Sequence, residues 1–353
     1  MIVSTDSIAL AQALFTPVDA GEVALDAHAR VLVLGARDAQ GWRGRAGPHW
    51  RCEQGFKPAH AALHAAGLCV DVDAGAGPFD AALVFVPRQR ERARALLARA
   101  VDAVGEGGAI LAVQANDQGA RAAQADFEAL LGQAGHASRR KCRVLWATRE
   151  LARIDATLLA RWRALAQPTT ILDGRYWSCP GLFAWDRVDP GSALLAAQLP
   201  ATLAGEVADL GAGYGFLACA IVQHCPQVRG IDLYEAEALA REPAQRNLAA
   251  AIASSGRSPA ASFAWHDACE ALPRRYDAIV SNPPFHDGRA DQPGLGRAFI
   301  ATAAAALHPT GQLWLVANRH LPYEALLGQC FGQVREVVQR DGYKVLHASG
   351  VRT

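Results

Sequence analysis

Short, nearly continuous apolar runs recur along the chain, each followed by a helix-length stretch of mixed polarity. In the second half, "GEVADLGAGYG" (205–215) predicts a strand ending in a glycine-rich turn, and "FLACAIVQHC" (216–225) predicts a helix. "VRGIDLYE" (228–235) predicts a second strand, and "AEALAREPAQRNLAAAIASSG" (236–256) a helix starting directly after it, with Pro243 in its first turns. "SFAWHDA" predicts a third strand, "YDAIVS" a fourth, "GQLWLVAN" a fifth, and "VREVVQRDGYKVLHAS" a terminal hairpin. Strands alternating with helix-length segments imply a mostly parallel sheet with helices on both faces.

The first half repeats this order. "RVLVLGARD" (30–38) parallels "EVADLGAGY", "FDAALVFVP" (79–87) parallels "YDAIVSNPP", and "GAILAVQAN" (108–116) parallels "GQLWLVAN". The pattern is an internal duplication. The expected fold is therefore α/β: two tandem Rossmann-like domains, residues 1–165 and 166–353, each closing on an antiparallel hairpin. The first copy keeps the order and loses the chemistry. Val33 stands in place of Asp209, Arg37 and Ala39 in place of Gly213 and Gly215, and Phe85 in place of Asn282.

Composition fits this picture. A chain of 353 residues, 51% hydrophobic and 20% charged, can bury two sizeable cores. A net charge of +1 argues against a generally basic coat and leaves room for a local basic surface. Such a surface is one reading of 137–165, where Arg and Lys predominate; an ordinary solvated face is the other. The eight cysteines are scattered without a C-x-x-C pair, which predicts a reduced, cytoplasmic protein and no metal site. The N-terminus shows no basic, apolar leader, and no segment reaches the roughly 18 apolar residues of a membrane span.

Two motifs carry chemistry. "DLGAGYG" places Asp209, Gly211, Gly213 and Gly215 where a strand turns into a helix, so that the backbone can approach a ligand closely. The spacing G-x-G-x-G departs from the dinucleotide pattern G-x-G-x-x-G. The preceding Asp209 suits the cationic amino-acid headgroup of S-adenosylmethionine better than a pyrophosphate. Glu235, about 20 residues further on, is placed to accept from ribose hydroxyls, with Asp232 as competitor. Asp267 can accept from an adenine amino group or close a loop. The second motif is "SNPPFHDG" (281–288). Prolines stop the fourth strand, and Asn282 is held at its carboxyl end. The Asn282 side-chain oxygen and the Pro283 carbonyl can accept from one planar NH2 group and turn its lone pair toward an incoming methyl group. Phe285 can stack on a flat substrate, which points to an amide or a nucleobase amine. His286 and Asp287 can steer it, and His286 can equally be structural.

Together these residues resemble class I S-adenosylmethionine-dependent methyltransferases that modify exocyclic amines. With "VANRHLPY" (316–323), "LFAWDRVDPGS" (182–192) and a degenerate first copy, the chain is similar to the bacterial ribosomal RNA guanine-N2 methyltransferases, the small-subunit enzymes above all. The resemblance implies a catalytic second domain and a first domain that binds RNA or supports its neighbour. It implies methylation of a guanosine N2 in 16S rRNA. It also implies Asn282, Pro283 and Phe285 at the reaction and Phe285, His286 and Arg319 at the substrate. A monomer is the expected state, which the sequence itself does not fix. A 23S rRNA enzyme, a methyltransferase of glutamine amides in proteins, and a non-catalytic assembly factor are the alternatives.

Overall fold

The computed structural model describes residues 5–284, 286–287, 290–291 and 293–352. The chain divides into two compact units, 1–167 and 168–353. Unit 1 opens with helices α1 (Thr5–Leu14) and α2 (Thr16–Asp19). Its strands are β1 (Val31–Leu34), β2 (Trp50–Glu53), β3 (Val70–Asp71), β4 (Phe79–Phe85), β5 (Val104–Ala115), β6 (Gly135–Arg139) and β7 (Cys142–Thr148). Helices α3 (Lys57–Ala65), α4 (Arg90–Ala103), α5 (Ala120–Leu131) and α6 (Ala156–Ala164) complete it.

Unit 2 begins with a small antiparallel ribbon, β8 (Thr169–Ile171) and β9 (Tyr176–Ser178), and helix α7 (Pro190–Ala196). Its main strands are β10 (Ala204–Leu210), β11 (Gln227–Glu235), β12 (Ala260–Trp265) and β13 (Tyr276–Ser281). The two-residue strands β14 (His286–Asp287) and β15 (Ala290–Asp291) precede β16 (Leu307–Asn318), β17 (Phe331–Arg340) and β18 (Tyr343–Val351). The helices are α8 (Phe216–His224), α9 (Arg241–Ser255), α10 (Pro293–Ala306) and α11 (Glu324–Cys330).

The duplication is visible in the sheet order. Unit 1 runs β3-β2-β1-β4-β5-β7-β6, and unit 2 runs β12-β11-β10-β13-β16-β18-β17. In each, the first five strands are parallel and the last two form the antiparallel hairpin. Register makes the match residue by residue. Leu34 lies opposite Val84 as Leu210 lies opposite Ser281. Val33 therefore occupies the Asp209 position and Phe85 the Asn282 position.

The central strands read as unbroken apolar runs because both faces of each sheet are covered. In unit 1, Leu32, Leu34, Ala82 and Val84 enter one core, and Val31, Val33, Ala81 and Leu83 the other. In unit 2, Val207, Ile231 and Leu233 face one core, and Ala208, Leu210 and Tyr234 the opposite one.

One expected element differs. The helix after Glu235 does not start at once: a 3-10 turn at Ala238–Ala240 comes first, and α9 starts at Arg241. Pro243 then falls in the first turn of α9, where the backbone N–H it lacks would have no helical acceptor. The glycine turn survives in unit 1 for a steric reason. Gly35 has φ +73°, and a Cβ there would lie 2.5 Å from the Phe85 carbonyl oxygen. Gly35→Ala lowers the stability of the chain by more than about 1 kcal/mol. Denaturant unfolding checks this; an unchanged midpoint would contradict it.

Candidate functional site

The carboxyl ends of β10, β11 and β13 lie side by side in unit 2, and the predicted motifs meet there. Ser281 Oγ donates to the Leu210 carbonyl at 2.8 Å, joining the end of β13 to the start of the glycine turn. Gly211, Gly213 and Gly215 have φ of +74°, +53° and +86°, which only glycine adopts readily. A side chain at Gly211 would press on Phe299, whereas the space beside Gly213 is open.

Asp209 corrects one expectation. Its side chain is 0% exposed and points beneath α8, where Oδ2 accepts the Ala218 N–H at 3.1 Å. Gly215, the N-cap of α8, has no side chain to satisfy that donor, so Asp209 supplies the cap from the neighbouring strand. A cationic headgroup is thus offered the backbone of the turn, with the carboxyl group beneath it. Oδ1 has no hydrogen-bond partner among the described residues. Burial pushes the carboxyl up to about 7, opposed by the Ala218 bond and reinforced by the charge of Glu235.

Glu235 Oε2 accepts the Gly213 N–H at 2.8 Å, and Oε1 accepts the Glu237 N–H at 2.8 Å. Burial raises this carboxyl also, opposed by the N–H groups of Glu237, Gly213 and Ala236. Asp232, the competitor, is committed elsewhere: its carboxylate takes the Ser262 hydroxyl at 2.5 Å, the Tyr276 hydroxyl at 2.7 Å and Arg274 Nε at 2.8 Å. Asp267 Oδ1 accepts the Cys269 N–H at 2.9 Å, which is the loop-closing role.

Asn282 is clamped. Its Nδ2 donates to Asp189 Oδ2 at 2.9 Å and to Ser192 Oγ at 2.8 Å, and no described residue donates to Oδ1. Asp189 is the N-cap of α7, with the Ser192 N–H on the same Oδ2 at 2.8 Å. Pro283, the next residue, is buried. Phe285 lies outside the described residues, as does the side chain of His286, whose backbone pairs with Asp291. Arg319 has an exposed side chain, and its N–H donates to the Gly342 carbonyl at 2.8 Å. Lys344, opposite Ala317 in the sheet, bonds Glu324 and so ties the start of α11, directly after the "NRHLPY" loop, to β18.

Sequence reasoning assigned no role to Asp189, Ser192 or Asn247. The Asp-Pro start of α7 was a readable helix signal, but nothing local shows that the cap reaches Asn282. Buried Asn247 on α9 accepts the Trp177 N–H at 2.7 Å and donates to the Trp177 and Tyr214 carbonyls at 2.8 Å each. Tyr214 Oη donates to the Arg187 carbonyl at 3.0 Å, so the segment before α7 is fastened to the glycine turn from two sides.

In unit 1 the same edge is sealed. The residue after β2, Gln54, matches Glu235, but its Nε2 donates inward to the Ala36 carbonyl at 2.6 Å while Oε1 accepts the Phe56 N–H at 2.8 Å. The Arg37 guanidinium lies over the Phe56 ring, 5.5 Å from its centre. A short 3-10 turn at Arg43–Arg45 stands where α8 follows the turn in unit 2. Among the described residues no cluster of His, Cys, Asp or Glu is arranged for a metal ion, and no helix is long and apolar enough to cross a membrane.

This geometry has known counterparts. Residues 173–347 match the family model described as methyltransferase small domain, which makes unit 2 a methyltransferase domain by class. The ribosomal RNA small subunit methyltransferase C of Pseudomonas aeruginosa (strain LESB58) is 32% identical over 311 residues, 88% of this chain and 89% of the relative. The protein of that name from Psychromonas ingrahamii is 29% identical over 77% of this chain and 76% of the relative. The solved 16S rRNA N2 G1207 methyltransferase of T. thermophilus, in complex with AdoMet and guanosine, superposes with a TM-score of 0.75. It shares 26% identity and covers 98% of this chain and 91% of that one. The chain belongs to the ribosomal RNA small subunit methyltransferase C family.

The folded chain holds the Asp209 proton more tightly than the unfolded chain, so wild-type stability falls as pH rises from the ordinary value of 3.8 toward about 7. Asp209→Asn removes that loss. Its melting temperature relative to wild type therefore climbs between about pH 4 and about pH 8. A difference that stays constant with pH would contradict the assignment.

Proposed function

We propose that the chain transfers a methyl group from S-adenosylmethionine to the exocyclic N2 of a guanosine in 16S ribosomal RNA, in the cytoplasm. The observation that carries this reading is the clamped Asn282: both its N–H groups are used by Asp189 and Ser192, so only its oxygen faces outward. An acceptor alone at that place calls for a substrate that donates, and an exocyclic amine does so.

The residues fit the cofactor. Glu235 stands at a turn whose Gly213 side is open, which suits a ligand bearing hydroxyls, and Asp209 holds that turn and the start of α8 from beneath. Glu235 keeps further acceptor capacity for ribose hydroxyls. The first N–H groups of α8 are left for the headgroup, because those of Gly211, Ala212, Gly213 and Gly215 are used within the fold. Asp267, with Oδ1 on the Cys269 N–H, would hold the adenine through its other oxygen. When bound, the cofactor supplies an electrophilic methyl group on a sulfonium. The chain's part is positioning. Asn282 Oδ1 and the Pro283 carbonyl accept the two N–H groups of N2, which fixes the amine plane and aims its lone pair. Phe285 and His286 contact the base, and Arg319 its surroundings. The guanine leaves its stack to reach them, at a cost of a few kcal/mol. Unit 1, with its edge sealed, takes no part in cofactor binding.

The test is mass spectrometry of rRNA nucleosides from a strain lacking the gene. One N2-methylguanosine disappears from 16S rRNA, and the position numbered 1207 in the T. thermophilus relative is the first to inspect. An unchanged nucleoside profile would contradict the reading. In the purified protein, Asn282→Ala lowers kcat by about 10²–10³-fold and leaves cofactor affinity by calorimetry within about twofold. Asp189→Ala with Ser192→Ala lowers kcat by roughly tenfold or more, while Asp189→Asn, which retains an acceptor oxygen and a good N-cap, restores most of it. Normal turnover by Asn282→Ala would remove the proposed role.

A further inference from the structure

The hairpin turn of each unit occupies the same place. In unit 1 Arg139 pairs with Cys142 across the turn, and in unit 2 Arg340 pairs with Tyr343. The Asn116 N–H donates to the Lys141 carbonyl at 2.9 Å, as the Arg319 N–H donates to Gly342 at 2.8 Å. Arg140 therefore matches Asp341, and Lys141 matches Gly342. Both turns need two successive residues of positive φ: 51° and 61° in unit 1, 51° and 85° in unit 2. Unit 2 meets that demand with Asp-Gly, the pair such two-residue hairpins favour. Unit 1 places two long cationic side chains in the left-handed region, where they are disfavoured, and both are exposed, so no packing offsets the strain.

The surroundings share the charge. Ala115 of β5 lies opposite Cys142, so the turn stands at the carboxyl edge of the unit 1 sheet, the edge that carries the site in unit 2. Beside it opens a cavity of about 620 Å³ lined by Asn116, Asp117, Gly119, Arg121, Ala122 and Arg143. Arg143 Nη1 donates to neutral Gln124 at 2.6 Å, and its Nε has no partner among the described residues. The side chains of Arg121, Arg139, Arg140 and Lys141 make no ion pair among the described residues. Elsewhere in unit 1 many arginines are held by acids, Arg45 by Asp19, Arg90 and Arg94 by Asp126, Arg99 by Glu53, Arg149 by Glu106 and Arg163 by Asp102. Arg88, Arg92 and Arg161 make no ion pair among the described residues either, so it is the clustering on one strained turn that sets Arg139, Arg140 and Lys141 apart.

We propose that the β6–β7 turn Arg139-Arg140-Lys141, with Arg121 and Arg143 beside it, contacts phosphates of the substrate RNA backbone away from the target nucleotide. The inference rests on the RNA reading above and adds where unit 1 takes hold. The cofactor edge of the first copy has closed, and the same edge now presents unpaired positive charge, kept there against backbone preference. Such contacts set affinity and its salt dependence and leave the chemical step untouched.

The test uses the full chain and unmodified 16S rRNA transcript, naked and in small subunits. Arg140→Asn with Lys141→Gly removes the charges and gives the turn residues it favours, so the melting temperature stays equal or rises. Binding weakens roughly fivefold to fiftyfold near 0.1 M salt, and the slope of log affinity against log salt becomes shallower by about 1 to 2. KM for RNA rises, while kcat and cofactor affinity hold. Arg121→Gln, outside the turn, shifts the slope in the same direction. Unchanged affinity and slope in both variants would overturn the inference and assign these cations to solvent or to an acidic protein surface, leaving the methylation reading standing. A wild-type chain that neither binds nor methylates the RNA in either form would sink both.

Discussion

A carboxamide can donate twice and accept twice, and this fold uses up the donors of Asn282. Asp189 and Ser192 take both N–H groups, and Asp189 does so with the same oxygen that caps α7. Rotating the amide would trade a charge-assisted hydrogen bond, worth about 1.5–3 kcal/mol, for an oxygen facing a carboxylate. The orientation is therefore fixed before any substrate arrives. The rest of unit 2 serves that arrangement. Pro283 stops β13 where the amide is needed, Ser281 holds the strand end against the glycine turn, and Asn247 and Tyr214 bind the segment before α7 to that turn.

The two copies show what a site costs beyond its fold. Both sheets have one strand order, and both begin their turn with a glycine at positive φ. What differs is a handful of polar positions. Asp209 caps a helix that unit 1 does not form, and Val33 in its place simply packs in the core. Glu235 accepts from the turn and keeps an open side; Gln54 donates inward and closes it. Freed of a ligand, the unit 1 edge could carry another charge pattern without loss to its core.

Much of this was legible in the chain. Strands buried on both faces appear as apolar runs, so their order, and the Val33–Asp209 and Phe85–Asn282 correspondences, could be read from spacing alone. The start of α9 was not, because Pro243 is equally compatible with a late helix start and with an interruption. The inward turn of Asp209 was hidden, since it depends on α8 folding back over β10. The clamp on Asn282 was hidden more deeply: Asp189 and Ser192 lie 93 and 90 residues away and leave no periodic trace.

The most direct test is a crystal structure with guanosine and S-adenosylhomocysteine bound. Asn282 Oδ1 should lie about 2.9 Å from guanine N2, with Nδ2 still shared between Asp189 and Ser192. An Asn282 amide reversed, with Nδ2 toward the base and the Asp189 contact broken, would contradict the account.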